Sequence, residues 1–287
     1  MSAPTVRRRR LGGKLRALRG ELTLEEVAEK SGGAFTLSKV SRLERAESAA
    51  KARDVGALLD LYAALGREIT DEMREALLTL TREGAQRGWW HSYRGVLTPM
   101  YEDLISLEAE ATSVSMWQAG AIPGLLQTPD YARAYMTSVG MGAAEESKID
   151  ALVEVRIGRQ SVLTREKPVT LWAIIAEGAL RTKITGEGVM RDQLSRLLAM
   201  SSRPNVNIQI MPSDSPPHVG QVGSYTLLGF EDRPDLDVVH TESLTSSMYV
   251  EDRAQVGVYR DGFGRLTATA LGVEASIERI TEIRKQL

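Results

Sequence analysis

Cysteine is absent from the 287 residues, which removes disulfides, thiolate metal sites and cysteine nucleophiles and suits a reducing cytoplasm. Histidine is scarce: His91, His218 and His240 stand far apart without metal-ligand spacing, so no metal site is expected. No run approaches the roughly 18 uncharged apolar residues that a membrane helix needs, and no membrane partner is expected. The start, MSAPTVRRRRLGG, has basic residues but no apolar stretch behind them, so a secretion signal is not expected either. Common catalytic signatures are missing too: there is no G-x-x-x-x-G-K-[ST], no H-E-x-x-H and no G-x-S-x-G. The glycine pairs Gly186/Gly188 and Gly262/Gly264 read as turns, and Glu177 with Glu242 form an acid/base pair only on paper, with no substrate logic around them. The chain is therefore expected to be no enzyme and to need no cofactor.

What is present is a globular balance, 43% apolar and 26% charged, at a length that suggests two domains of about 150 residues. The net charge of -2 conceals a division. Residues 1–53 carry 13 basic against 6 acidic side chains, a net of +7, residues 54–82 carry -3, and residues 83–287 carry -6. A basic head on an acidic body suits a head that meets a polyanion.

Leu11, Leu15 and Leu18 fall on one stripe of a helix whose other faces carry Arg7, Arg8, Arg9, Arg10, Lys14, Arg16 and Arg19. Gly12 and Gly13 weaken its first turn. Thr23-Leu24-Glu25-Glu26 is a capping box that starts a short helix ending near Lys30, before Ser31-Gly32-Gly33. A third helix runs from Thr36 to about Arg45 with Val40 and Leu43 inward; its other positions, Thr36, Ser38, Lys39, Ser41, Arg42 and Arg45, offer hydroxyls and cations to phosphates and base edges. Val55, Leu58, Leu59, Tyr62 and Leu65 make a closing helix. Four helices in this order describe a helix-turn-helix domain.

Leu22-Thr23-Leu24-Glu25-Glu26-Val27-Ala28 followed by Ser38-Lys39-Val40-Ser41-Arg42-Leu43-Glu44 resembles the Xre-type (lambda-repressor-like) helix-turn-helix family. Two departures, Leu24 and Leu37 where that family often has a polar residue and a turn from Ser31 to Phe35 about two residues longer, bear on base contacts more than on the fold.

Beyond the head, Ile69, Met73, Ala76, Leu77 and Leu80 form the stripe of a polar helix that joins the domains or dimerises. Seven of the 15 aromatic residues then fall within 47 positions: Trp89, Trp90, Tyr93, Tyr101, Trp117, Tyr131 and Tyr135. Rings so placed either pack a core or line a pocket or interface. Trp89, Trp90, Tyr93 and Arg94 are the candidate partner- or ligand-binding residues, with Trp117 assigned to the core.

Thr98-Pro99 opens a helix to Glu110. Strands are expected at 112–117, 169–176, 206–211, 223–230, 237–241 and 247–250, with helices at 145–166 and 188–200 and from 251 and 272. The short links after 222 favour antiparallel pairing there. The string from Trp117 to Ala132, WQAGAIPGLLQTPDYA, resembles the C-terminal domain of antitoxin-like (WhiJ-like) Xre-type regulators of actinomycetes, as do Trp90 to Arg94, Arg156 to Gln160, Gln193-Leu194 and Glu242 in their order. That resemblance implies a head that binds double-stranded DNA and a body associated with small proteins encoded next to the regulator.

The expected architecture is an all-α helix-turn-helix domain over residues 1–66, a linker helix over 67–88, and an α+β domain over 89–287 with a mixed or antiparallel sheet. The expected function is sequence-specific, dimeric transcription regulation in the cytoplasm, with a small protein partner or a small-molecule ligand on the body. Arg7, Arg8, Arg9, Arg10 and Lys14 are assigned to phosphates, Thr23, Thr36 and Ser38 to helix N-termini at the DNA, and Lys39, Ser41 and Arg42 to the groove. The alternative is an antitoxin or adaptor that mainly sequesters a small protein, with DNA binding secondary. A third class, an enzyme fused to a DNA-binding head, would be revived by a deep pocket with perturbed titratable groups.

Overall fold

The computed structural model describes residues 6–83, 89–93, 95–139, 147–230, 236–243 and 246–287. The chain divides into two compact units, Met1–Trp89 and Trp90–Leu287. Among the described residues no helix is long and apolar enough to cross a membrane.

The first unit is all helix: α1 (Val6–Arg19), α2 (Leu24–Lys30), α3 (Leu37–Glu44), α4 (Ala52–Ala64) and α5 (Asp71–Glu83). Its core joins Leu11 and Leu15 of α1 to Val27, Val40, Leu43, Val55, Leu58, Leu59 and Tyr62, all buried, at the helical spacing the sequence shows. Helix α1 runs unbroken through Gly12, and a side chain there has no room: a Cβ would lie 2.4 Å from the Glu44 carbonyl oxygen and 2.8 Å from that of Leu43. The glycine that weakens the helix locally is what lets its backbone approach the end of α3. Helix α4 stops at Gly66, whose φ of 82° supports the paired bonds from Gly66 N to Ala63 O and from Arg67 N to Tyr62 O, each 3.0 Å. Helix α5, the segment expected to connect the domains, packs on α1 and α4 and buries Ala76, Leu77 and Leu80.

The second unit is α+β. Its strands are β1 (Ser113–Gln118), β2 (Thr170–Ala176), β3 (Val206–Met211), β4 (Tyr225–Gly229), β5 (Val238–Glu242) and β6 (Ser247–Val250). They form one mixed sheet in the order β3-β2-β1-β4-β5-β6. Pairs β1–β2 and β2–β3 are parallel, and β1–β4, β4–β5 and β5–β6 are antiparallel. Parallel neighbours need long crossovers, supplied by α7 (Pro129–Val139) and α8 (Ile149–Arg159), then by the short α9 (Glu177–Leu180) and α10 (Val189–Ser201), while α6 (Pro99–Glu110) precedes the sheet. The expected helix over 145–166 is narrower, Ile149–Arg159 followed by a 3-10 turn to Leu163.

Period-two alternation divides the sheet faces. Trp117, Ile174, Met211, Tyr225, Leu227, Val239 and Val250 pack with Val256, Phe263 and Leu266 of α11 (Arg253–Thr269). Val114, Leu171, Ala173, Ile175, Ile208 and Ile210 are buried on the other face. Strand β2 is therefore buried on both sides, which accounts for its unbroken apolar run TLWAIIA. The last helix, α12 (Val273–Lys285), packs on α10 and β3, where the Ser276 hydroxyl accepts from Ile210 N at 2.9 Å.

Candidate nucleic-acid interface

The pair α2–α3 is built by short-range hydrogen bonds. Thr23 Oγ1 accepts from Glu26 N at 3.1 Å, and Glu26 Oε2 accepts from Thr23 N at 2.7 Å, so both halves of the capping box form. The Thr23 backbone N–H, then its hydroxyl, holds the Glu26 carboxyl below the ordinary carboxylate range. At the other end of α2 the Ser31 hydroxyl donates to Ala28 O at 2.7 Å and accepts from Phe35 N at 3.1 Å, while Gly32 and Gly33 take φ of 60° and 89°. The turn thus buries Phe35 and delivers Thr36, whose hydroxyl accepts from Lys39 N at 3.2 Å and starts α3.

Helix α3 turns Val40 and Leu43 inward. Ser38 and Arg42 lie exposed on the opposite side, with Ser41 half-buried beside them and Leu37 38% exposed. The Arg42 Nε–H donates to Ser38 O at 3.2 Å, and the Thr36 and Ser38 hydroxyl oxygens are 3.5 Å apart. These groups form a compact row of donors and acceptors on a helix held at both ends.

Lys39 differs from its assignment to the groove. Its Nζ is 3.0 Å from Asp54 Oδ1 and 4.9 Å from the centre of the Phe35 ring, so it is tied sideways to α4. One step around the helix from Ser38 is enough to move a side chain from the outward face to the flank. Arg10 also departs from its assignment: its residue is 4% exposed, which withdraws it from phosphates. Arg8 and Lys14 are half-buried on α1, and the side chains of Arg7 and Arg9 lie outside those described. Thr23 is exposed but occupied by its cap.

The far end of α3 is fixed by an ion pair that the spacing does not announce. Arg19 Nε and Nη2 donate to the two Glu44 oxygens at 2.7 and 3.1 Å. Tyr62, fully buried nearby, has a hydroxyl with no hydrogen-bond partner among the described residues, and burial, then the Glu44 charge, pushes its phenol up to about 12. Ala46 closes α3 with a left-handed φ of 60°, where Glu47 N donates to Arg42 O at 2.9 Å.

Of the residues assigned to a partner or ligand, Trp90 and Tyr93 are half-buried against Leu97, Ile105 and Val155, and the Tyr93 hydroxyl donates to Glu154 Oε2 at 3.1 Å. Trp89 is 43% exposed, and Arg94 lies outside the described residues. Trp117 is core: 2% exposed, it donates from Nε1 to Gly220 O at 2.8 Å and meets His218 edge-on.

The segment after β1 is gripped by three side-chain amides, to which residue spacing assigns no role. Gln193 donates to Leu126 O at 2.9 Å and accepts from Thr128 N at 2.7 Å; Gln160 donates to Gln127 O at 2.7 Å; Gln127 donates to Ile122 O at 2.8 Å. Glu177, one half of the acid/base pair considered above, is held by Arg181 and Arg279, while Glu242 lies exposed at the end of β5, three strands away.

Residues 10–73 match the family model of a helix-turn-helix domain, and residues 101–282 match that of a domain of unknown function, DUF5753. The second match spans well over half of the chain. The chain belongs to the DUF5753 family. No curated protein matches it. The DUF5753 match begins at Tyr101, so Trp89, Trp90, Tyr93 and Arg94 precede it, whereas Glu108, Gln127, Arg156, Arg159, Gln160 and Gln193 fall within it. The helix-turn-helix match takes in α2, the turn and α3 complete, and leaves Arg7, Arg8 and Arg9 outside.

Proposed function

We propose that this DUF5753 protein is a sequence-specific DNA-binding transcription regulator of the Xre type that works as a homodimer in the cytoplasm, and that its body responds to a small protein partner or a small ligand rather than catalysing a reaction. The observation that carries the reading is the outward row of Ser38, Ser41 and Arg42 on a helix fixed by the Thr36 cap at one end and the Arg19–Glu44 pair at the other. Hydroxyls and a guanidinium on a rigid helix suit base edges in a major groove. An eight-residue helix reaches only a few base pairs, which is the reason for two copies on paired half-sites.

Selection of bound duplexes from a random library by the full chain tests this. The expected outcome is an enriched inverted repeat with half-sites about one helical turn apart, or a multiple of it. Recovery of random sequence alone would remove sequence-specific regulation and leave a structural or adaptor role.

A further inference from the structure

Helix α8 carries Arg156 and the 3-10 turn after it opens with Gln160, both against the segment 122–128, and α10 brings Arg196 to Gln160. Three amides, Gln127, Gln160 and Gln193, already hold the backbone there. The two guanidiniums add something different. Arg156 Nη1 donates to Gln127 Oε1 at 3.1 Å and Arg196 Nη2 donates to Gln160 Oε1 at 3.1 Å, in both cases to a neutral oxygen. Among the described residues neither has a carboxylate within ion-pair distance, and the Arg156 Nε–H is buried and meets no acceptor.

The neighbouring Arg159 shows how this unit neutralises a buried cation. Its Nε and Nη2 bind the two Glu108 oxygens at 2.8 and 2.6 Å, with both side chains under 5% exposed. Glu108 is used up in that pair, and Arg159 adds a 2.6 Å bond to the Tyr101 hydroxyl, which Arg156 also meets. Burial would raise the Tyr101 phenol, but the charges of Arg159 and Arg156 and their hydrogen bonds outweigh it and hold the phenol below its ordinary value. Among the described residues Arg156 and Arg196, each half-buried, have no counter-charge of this kind. Planar guanidinium forks match carboxylate and phosphate oxygens.

We propose that Arg156 and Arg196, linked through Gln127 and Gln160, form a binding site for a small dianion, either a dicarboxylate or a phosphate-bearing compound. This deepens the reading of the body as a responsive module and rests on that reading for its biological meaning, although the binding itself does not depend on DNA.

The test is thermal unfolding of the full chain titrated with sodium succinate and, separately, with inorganic phosphate, at constant ionic strength set with sodium chloride. A saturable rise of about 5 to 10 °C is expected for at least one probe at a hundredfold excess over its Kd, distinct from the unsaturable rise that an excluded salt gives. Arg196→Gln, which retains a donor for Gln160, is expected to weaken the response about tenfold, as is Arg156→Lys, which keeps the charge and loses the fork. A response to succinate alone assigns the site to carboxylates, and a response to phosphate alone to phosphates. No saturable response to either probe, or equal affinity in Arg196→Gln and the parent chain, overturns the proposal. Duplex binding by the same samples is read independently, so loss of the anion site and loss of the DNA-binding reading are separate results.

Discussion

Arg19 grips Glu44 with two nitrogens, joining the last turn of the first helix to the last residue of the helix that carries Ser38 and Arg42. Glu44 has 5% of its side chain exposed and Arg19 14%, so the pair is a nearly buried one. Breaking it from one side leaves a charge without its partner. Glu44→Gln is expected to cost about 3 kcal/mol or more, measured by urea unfolding of the N-terminal transition. Double replacement by Met at both positions is expected to recover much of that loss. Equal losses in the single and double variants would show that the ion pair is not what fixes this end of α3.

Tyr62 supplies a pH-dependent prediction. Its phenol is raised from 10.0 to about 12, so the folded state holds that proton more tightly than the unfolded chain does. The stabilisation is complete below pH 10 and is lost as pH rises through 12. Tyr62→Phe should flatten this part of the stability profile. Because the hydroxyl is buried with no partner among the described residues, the same change should leave neutral-pH stability equal or raise it by about 1 kcal/mol. A steeper alkaline decline in the variant would contradict the assignment.

Arg42 and Lys39 should separate in DNA binding. Arg42→Ala is expected to cost about 1 to 3 kcal/mol on the best operator and to relax preference at one base pair. Lys39→Ala should act mainly on folding, through loss of Asp54 and the Phe35 ring, with nearly the same proportional effect on cognate and random duplexes. Competition binding on both duplexes reads the difference, and a larger specificity loss for Lys39→Ala would return that residue to the groove.

Trp90 and Tyr93 are half in a cluster and half outside it. If the exposed half binds the partner, Trp90→Ala and Tyr93→Ala abolish capture of the small protein, lower the melting temperature by only a few degrees and leave duplex affinity intact. A large drop in melting temperature for both variants would make them core residues.

The head was legible where the causes are local. Thr23 and Glu26, three residues apart, define their cap without outside help, and Val40 with Leu43 mark the inward side of α3. Lys39–Asp54 and Arg19–Glu44 bridge different helices, and no periodicity places such partners. Arg10 shows the limit of counting charge: a basic run does not reveal which member turns inward. In the body, alternation located β1, an unbroken apolar run located β2, and the short link from β5 to β6 made their antiparallel pairing readable. The placement of β4 beside β1 was not readable, since 106 residues separate Gln118 from Tyr225 and nothing local couples them. Gln160 and Gln193 stood out only as part of the family resemblance, with no role attached, for a related reason: an uncharged amide that clasps a distant backbone has no spacing of its own.

The central claim, that the basic head meets the DNA backbone while α3 reads bases, is tested most directly by the salt dependence of duplex binding by the full chain. With roughly 5 to 8 phosphate contacts per dimer, log K should fall against log salt with a slope of about -4.5 to -7. A slope near zero would contradict it.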